Sequence, residues 1–197
     1  MNSQEKTNLG ILIFPDVEVL DFAGPFEVFS ACNELNGDRL FNLFTLAGTR
    51  DTVRAKNGLQ VVPDYDIENC PAPDCLVVPG GFGTRALLAD ERMMFRINAS
   101  AEHCSHILSV CSGSLVLGRL GLLEGLEATT HHDIFDELEA AAPGAVIVRD
   151  RRFTDNGRIL TSAGVAAGID MCLYMLGRWF GSEQARATAE YIEYPYE

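Results

Sequence analysis

Short continuous apolar runs alternate along this chain with longer stretches in which apolar positions recur every three or four residues. The run Leu9-Gly10-Ile11-Leu12-Ile13-Phe14 has no polar position, which predicts a strand covered on both faces and central in a sheet. Phe22, Phe26, Val28, Phe29 and Cys32 then mark a helix, with Pro25 expected in its first turn. Strands are predicted over 41–47 and 59–63. The second reads as a hairpin or edge strand, because Asn57-Gly58 precedes it and Pro63 ends it. Cys75-Leu76-Val77-Val78 is another continuous run and leaves through Pro79-Gly80-Gly81-Phe82-Gly83, a strand followed by a glycine-rich loop. A helix over 90–103, a strand over 105–110 and a helix over 112–122 follow. Further on come a helix over 133–141, apolar segments at 145–148 and Phe153, and a last strand over 158–161 after the Asp155-Asn156-Gly157 turn. Two helices, over 165–180 and 182–191, close the pattern. Regular alternation of strand and helix predicts an α/β fold around a mostly parallel sheet with right-handed crossovers. Residues 1–197 read as a single domain without repeat or linker, a length that buries a substantial core.

Charge narrows the partners. Twenty-eight acidic against 15 basic residues give a net charge of −13, which disfavours nucleic acid and anionic membrane surfaces. The most apolar long segment, over 163–180, contains Asp170 and several glycines, so it reads as a core helix and not a membrane span. The first eight residues are polar and lack the apolar centre of a secretion signal. Six irregularly spaced cysteines do not form a disulfide framework. These features together predict a cytoplasmic setting.

One cysteine differs from the rest. Cys111 lies in Ser109-Val110-Cys111-Ser112-Gly113, between a strand pattern and a helix pattern, the arrangement of a nucleophile elbow. Small residues two before and two after it permit a tight turn. The helix that follows would aim its N-terminal N–H groups at the sulfur and favour thiolate over thiol. An inert core cysteine fits the local sequence equally well, and is the better account of Cys32, Cys70, Cys75, Cys104 and Cys172.

In an open parallel sheet, ligands bind outside the carboxyl ends of the strands. The loop reaching Asp21, the Gly80-Gly81 loop and the elbow would meet there. Asp21 sits just before the first predicted helix; a first-turn charge explains it, and so does a carboxyl close enough to the thiol to have its pKa raised and to shuttle a proton. The N–H groups of Gly81 and Ser112 are candidate donors to developing negative charge, although Pro79-Gly80-Gly81 also reads as a plain strand exit. His131 and His132 read as capping residues and His103 and His106 as surface or helix-end residues, while Glu27 is equally ambiguous between charge and function.

Taken together, five segments are more specific than any one alone: the stretch from Leu20 to Phe29, Val78-Pro79-Gly80-Gly81, the stretch from Ser109 to Gly118, Ala128-Thr129-Thr130-His131, and the stretch from Thr161 to Asp170. This set resembles the ThiJ/PfpI superfamily (class I glutamine amidotransferase-like) and, within it, is most similar to the isonitrile hydratases. The resemblance implies a flavodoxin-like three-layer sandwich, a homodimer, and a small-molecule substrate with no metal or organic cofactor. It also implies Cys111 as nucleophile and Asp21 as its acidic partner. Ser112 stands where those enzymes typically carry threonine, and it argues against the peptidases of the superfamily, which carry histidine there. The same motifs occur in sensor domains of transcription regulators that continue into a helix-turn-helix region, whereas this sequence stops at Glu197 and is acidic. The expected activity is addition of water to an isonitrile. The alternatives are a glyoxalase- or deglycase-like activity on small dicarbonyls, and a cysteine-based redox or metabolite sensor.

Overall fold

The computed structural model describes residues 6–196. Its centre is a seven-stranded sheet in the order β10-β11-β7-β6-β1-β2-β5. These strands are β1 (Thr7–Leu12), β2 (Phe41–Ala47), β5 (Tyr65–Asp66), β6 (Cys75–Val78), β7 (His106–Val110), β10 (Phe153–Asp155) and β11 (Ile159–Ser162). All pairings in this sheet are parallel except β10 with β11, which form a hairpin around the turn expected at Asp155-Asn156-Gly157. A separate antiparallel ribbon joins β3 (Val53–Arg54) to β4 (Gln60–Val61) across Asn57-Gly58, and β8 (Glu127–Ala128) pairs in parallel with β9 (Val146–Ile147). The 59–63 strand thus belongs to a hairpin outside the main sheet.

Direction of travel places the helices. From β1 the chain crosses to β2 through α1 (Val19–Leu35), and from β6 it crosses the opposite way to β7 through α2 (Thr84–Ala89) and α3 (Glu91–His103). Right-handed crossovers in opposite directions put these helices on opposite faces. α1 packs with α6 (Ala167–Phe180) and α7 (Ser182–Tyr191), whereas α2 and α5 (Phe135–Ala141) pack with α4 (Gly113–Arg119). Three layers result. The apolar runs become the sheet's interior: Leu9, Ile11, Leu12, Leu76, Val77, Ile107, Leu108 and Val110 are fully buried. The point where the crossovers diverge lies between β1 and β6, so the carboxyl ends of β1, β6 and β7 open onto a shared crevice.

Two local expectations change. Helix α1 begins at Val19, so Pro25 lies inside it and not in its first turn; Val19 and Leu20 extend the helix backwards, and the proline leaves the Asp21 carbonyl without its intrahelical N–H. Asp21 therefore stands in the first turn of α1, not before it. Helix α3 begins after Asp90, whose carboxylate accepts the Met93 N–H, while the short α2 ahead of it carried no periodic signal.

The end of the sheet away from the crevice is closed by aromatic rings. Phe29 and Phe41 lie 5.5 Å apart edge to face, and Trp179 is 5.9 Å from Phe29 and 6.0 Å from Phe41. Phe29→Ala is expected to cost about 3–5 kcal/mol. Urea unfolding followed by the fluorescence of Trp179, the single tryptophan, measures this; a loss below about 1 kcal/mol would contradict the packing described.

Candidate active site at the carboxyl edge of the sheet

Cys111 closes β7 and has φ 55°, a left-handed conformation that costs a non-glycine residue roughly 1–3 kcal/mol. Its neighbours hold it there. The Cys111 N–H points to the carbonyls of Ser162 and Ala163, both at 3.2 Å. The Cys111 carbonyl accepts hydroxyls from Thr130 at 2.8 Å and Ser114 at 3.1 Å. The small residue after the turn is also required: a Cβ on Gly113 would lie 2.0 Å from the Val78 carbonyl oxygen. The elbow inferred from Ser109, Cys111 and Gly113 is thus present, and it is strained.

The three loops expected at the crevice do converge. Asp21 is fully buried, and its Oδ2 accepts the Gly80 N–H at 3.0 Å. Oδ1 is buried without a standard hydrogen bond. The Cys111 thiol sits beside this carboxyl and counts among the groups that set its acidity, although no contact of ordinary hydrogen-bond geometry joins them. Contacts between catalytic groups commonly tighten only when substrate binds.

Burial pushes the Asp21 carboxyl up to about 7, opposed by the Gly80 N–H, reinforced by Glu18, and opposed again by Cys111 and Lys56. That rise matches expectation. The thiol does not: burial, and then the charge of Asp21, push Cys111 up to about 12, and the Ser112 N–H and hydroxyl only moderate this. Cys111 is half-buried and not exposed, and α4 spans seven residues, so desolvation outweighs the helix terminus. At neutral pH the resting pair is a thiol beside a carboxyl poised between its two forms.

Gly81 requires a second correction. Its N–H donates to the Ser112 hydroxyl at 2.9 Å and is not free to receive negative charge. The Ser112 hydroxyl is also 2.9 Å from that of Thr84 and approaches the Gly81 carbonyl at 3.3 Å. Ser112 therefore fastens the glycine loop to the elbow, and the N–H directed at the sulfur is its own. Gly81 keeps a structural need: at φ 132°, a Cβ there would lie 2.4 Å from the Glu18 nitrogen.

Neither His131 nor His132 is hydrogen-bonded to the thiol, although Thr130, the neighbour of His131, bonds the Cys111 carbonyl. His131 accepts the Asp133 N–H on Nδ1 at 3.2 Å, the capping role expected, and its ring packs against Gly164. Donor atoms of His131, His132 and Asp133 lie within 4.8 Å of one another. The two rings, however, stack at 4.2 Å and 29°, so their in-plane lone pairs run side by side instead of converging on an ion. His103 ends α3, His106 stacks edge to face on Trp179 at 5.3 Å, and Glu27 is exposed on α1. Sequence reasoning missed Thr84, Ser114, Thr130, Glu18 and Lys56. Thr84, Thr130 and Lys56 reach the site only through tertiary contacts, whereas Ser114 and Glu18 lie three residues from Cys111 and Asp21 and are revealed only once the turn and the helix start are placed.

A cavity of about 460 Å³ opens next to this crevice, beyond the ends of β1, β2 and β5. Phe14 and Pro15 line it, and neither Cys111 nor Asp21 does.

Comparison with known proteins adds a family to this geometry: residues 8–178 match the DJ-1/PfpI family. The chain belongs to the DJ-1/PfpI family. Among its relatives, the isonitrile hydratase of Pseudomonas putida is 35% identical over 189 residues, covering 94% of this chain and 78% of that protein. The HTH-type transcriptional regulator GbdR of Pseudomonas aeruginosa is 32% identical over 192 residues, covering 98% of this chain. The chain spans about half the length of that regulator, 52%. A crystal structure of a ThiJ/PfpI family protein from Pseudomonas syringae superposes with a TM-score of 0.88 at 29% identity, covering 98% of this chain and 77% of that one. The mostly parallel sheet between helical layers is thus the flavodoxin-like architecture of DJ-1/PfpI proteins. Among the described residues, no helix is long and apolar enough to cross a membrane.

Burying Asp21 has a measurable cost to a DJ-1/PfpI fold of this kind. Its folded pKa of about 7 exceeds the ordinary 3.8, so the unfolded chain ionises first. Stability from this group is lost as pH rises from about 4 to 7, by about 4 kcal/mol in all, and levels off above. Asp21→Asn removes this dependence. Its unfolding free energy relative to wild type is expected to improve by up to about 4 kcal/mol between pH 4 and pH 8. A constant difference across that range in chemical denaturation would contradict the burial of an ionisable carboxyl.

Proposed function

We propose that this protein adds water to organic isonitriles to give N-substituted formamides. The observation that carries the reading is the pairing of a fully buried Asp21 with the elbow thiol, at a site where neither His131 nor His132 is hydrogen-bonded to Cys111. The likeness to the P. putida isonitrile hydratase supports it. A carboxyl near neutrality is suited to moving protons in both directions.

The Cys111 sulfur attacks the terminal isonitrile carbon while the ionised Asp21 takes the thiol proton and passes it to that carbon. A thioimidate results, and Asp21 is again a carboxylate. Water then adds to the same carbon, its proton moving through Asp21 to the nitrogen. Collapse of the tetrahedral adduct breaks the C–S bond, the hydroxyl proton returns through Asp21 to sulfur, and the formamide leaves. Every proton is accounted for by one carboxyl, so the scheme requires no metal or organic cofactor. Ser112 holds the loop and supplies the N–H facing the sulfur. The working unit is a homodimer, on the strength of the resemblance alone, and its cytoplasmic setting rests on the composition.

Two other readings remain distinct in outcome. A glyoxalase- or deglycase-like enzyme uses a similar cysteine and carboxyl on dicarbonyls. A ligand- or redox-sensing role draws on the likeness to GbdR; the raised pKa of the thiol disfavours ready oxidation, since thiolate is the reactive form.

Purified protein assayed against an alkyl isonitrile and methylglyoxal is expected to turn over the isonitrile. Its kcat/KM should fall about tenfold per pH unit below about pH 7, as Asp21 is protonated. Cys111→Ala should be inactive, and Asp21→Asn should lose roughly a hundredfold to ten-thousandfold. Full activity in either variant overturns the scheme. Faster methylglyoxal turnover favours the dicarbonyl enzyme, and clean peroxide oxidation without turnover favours the sensor.

A further inference from the structure

The β3–β4 ribbon takes no part in the central sheet or in the scheme above, yet it is tied to the catalytic crevice at several points. The Asp16 N–H donates to the Arg54 carbonyl at 2.9 Å, and the Lys56 N–H donates to the Val17 carbonyl at 3.0 Å. The Lys56 ammonium donates to Glu18 Oε2 at 2.7 Å and lies 5.1 Å from the centre of the Phe82 ring. Backbone and side chain of one residue thus grip Val17 and Glu18 together. Glu18 is in turn joined to both halves of the carboxyl site: its N–H donates to the Gly80 carbonyl at 2.9 Å, and its carbonyl accepts the Asp21 N–H at 3.2 Å. Gly80 is the residue whose N–H holds Asp21 Oδ2.

Charge follows the same route. The groups that bear on Asp21 are Glu18 from the start of its own helix, Lys56 from the ribbon and Cys111 from the elbow. Lys56 is the cation of this set, and Cys111 and Asp21 both act on it in return. Without Lys56, Glu18 would stand as an unpaired second carboxylate beside a buried one.

We propose that Lys56 is a positioning residue for the Asp21–Cys111 pair, fixing the start of α1 through Val17 and Glu18 and neutralising the carboxylate next to Asp21. Its effect on Asp21 is the sum of two opposed charges, Glu18 raising the carboxyl's pKa and Lys56 lowering it. Lys56 and Glu18 side chains keep 33% and 24% of their exposure, so solvent screens part of this effect. The catalytic consequence rests on the reading of Asp21 as proton carrier; the electrostatic claim does not.

The test therefore uses a readout independent of substrate. Carboxyl titration of the full-length protein, by NMR with 13C-labelled aspartate and with Asp21 assigned from Asp21→Asn, gives the Asp21 midpoint directly. Lys56→Met is expected to raise it by roughly half to one pH unit, and Glu18→Gln to lower it by a similar amount. Lys56→Arg should hold it near wild type, and the double variant Lys56→Met/Glu18→Gln should return close to wild type. Half-molar salt should shrink both single shifts. If the isonitrile is turned over, the acid limb of kcat/KM should move with the NMR midpoint. An Asp21 midpoint unmoved in Lys56→Met, with or without a pH-independent fall in activity, overturns the proposal. Absence of isonitrile turnover with the shifts present overturns only the assigned reaction.

Discussion

The constraint on which this structure turns is the burial of one carboxyl group against one thiol. A carboxylate in an apolar interior is expensive unless it is paired or protonated, and Asp21 has one backbone N–H and no cation in direct contact. The chain accepts this because the parallel sheet behind it is covered on both faces and supplies a large core. The fold in turn dictates where the pair can form. Only at the divergence between β1 and β6 do a first-turn helix residue, a glycine loop and the end of a neighbouring strand come within reach of each other. Ser112, bridging Gly81 and Thr84, fastens two of those three parts.

The same burial sets the acidity of the Cys111 thiol and so the kind of nucleophile it would make in the proposed reaction. A cysteine activated as a free thiolate would favour substrates that need no proton, and would be open to oxidation. In the proposed scheme the thiol keeps its proton until the weaker base Asp21 takes it as the carbon–sulfur bond forms, so attack and proton transfer are coupled. That coupling suits an unsaturated carbon that must gain a proton as it gains sulfur. The left-handed φ at Cys111 serves this arrangement, and the hydroxyls of Thr130 and Ser114 on its carbonyl keep the turn from relaxing. Strain and burial are both costs borne at the site, offset by packing elsewhere.

Much of this was legible in the sequence. Continuous apolar runs at Leu9 and Cys75 and largely apolar segments at Phe41 and Ile107 locate the central strands, since strands buried on both faces leave little polar alternation to misread. The elbow was legible because a tight turn demands small residues at Ser109 and Gly113. Asp21 was legible as a charge flanked by apolar neighbours at a strand's exit. What escaped is tertiary in origin. The acidity of Cys111 depends on how completely neighbouring loops cover it, which no local pattern records. The Gly81 N–H was assigned to developing negative charge because nothing in the glycine loop reveals that the serine of the elbow turn would claim it. Lys56 reaches Glu18 only because the Asn57-Gly58 turn folds a ribbon back over the loop, and the start of α1 was misplaced because Pro25 was read as marking its first turn.

The central claim is that Cys111 adds covalently to the substrate carbon with Asp21 carrying the proton. Intact-mass analysis of protein mixed with an alkyl isonitrile and quenched in acid within the first turnover tests it most directly. The account requires an adduct equal in mass to the whole isonitrile, mapping by peptide analysis to Cys111 and absent from Cys111→Ala. Formamide formation with no adduct on Cys111 at any quench time, or with an adduct on another residue, would contradict it.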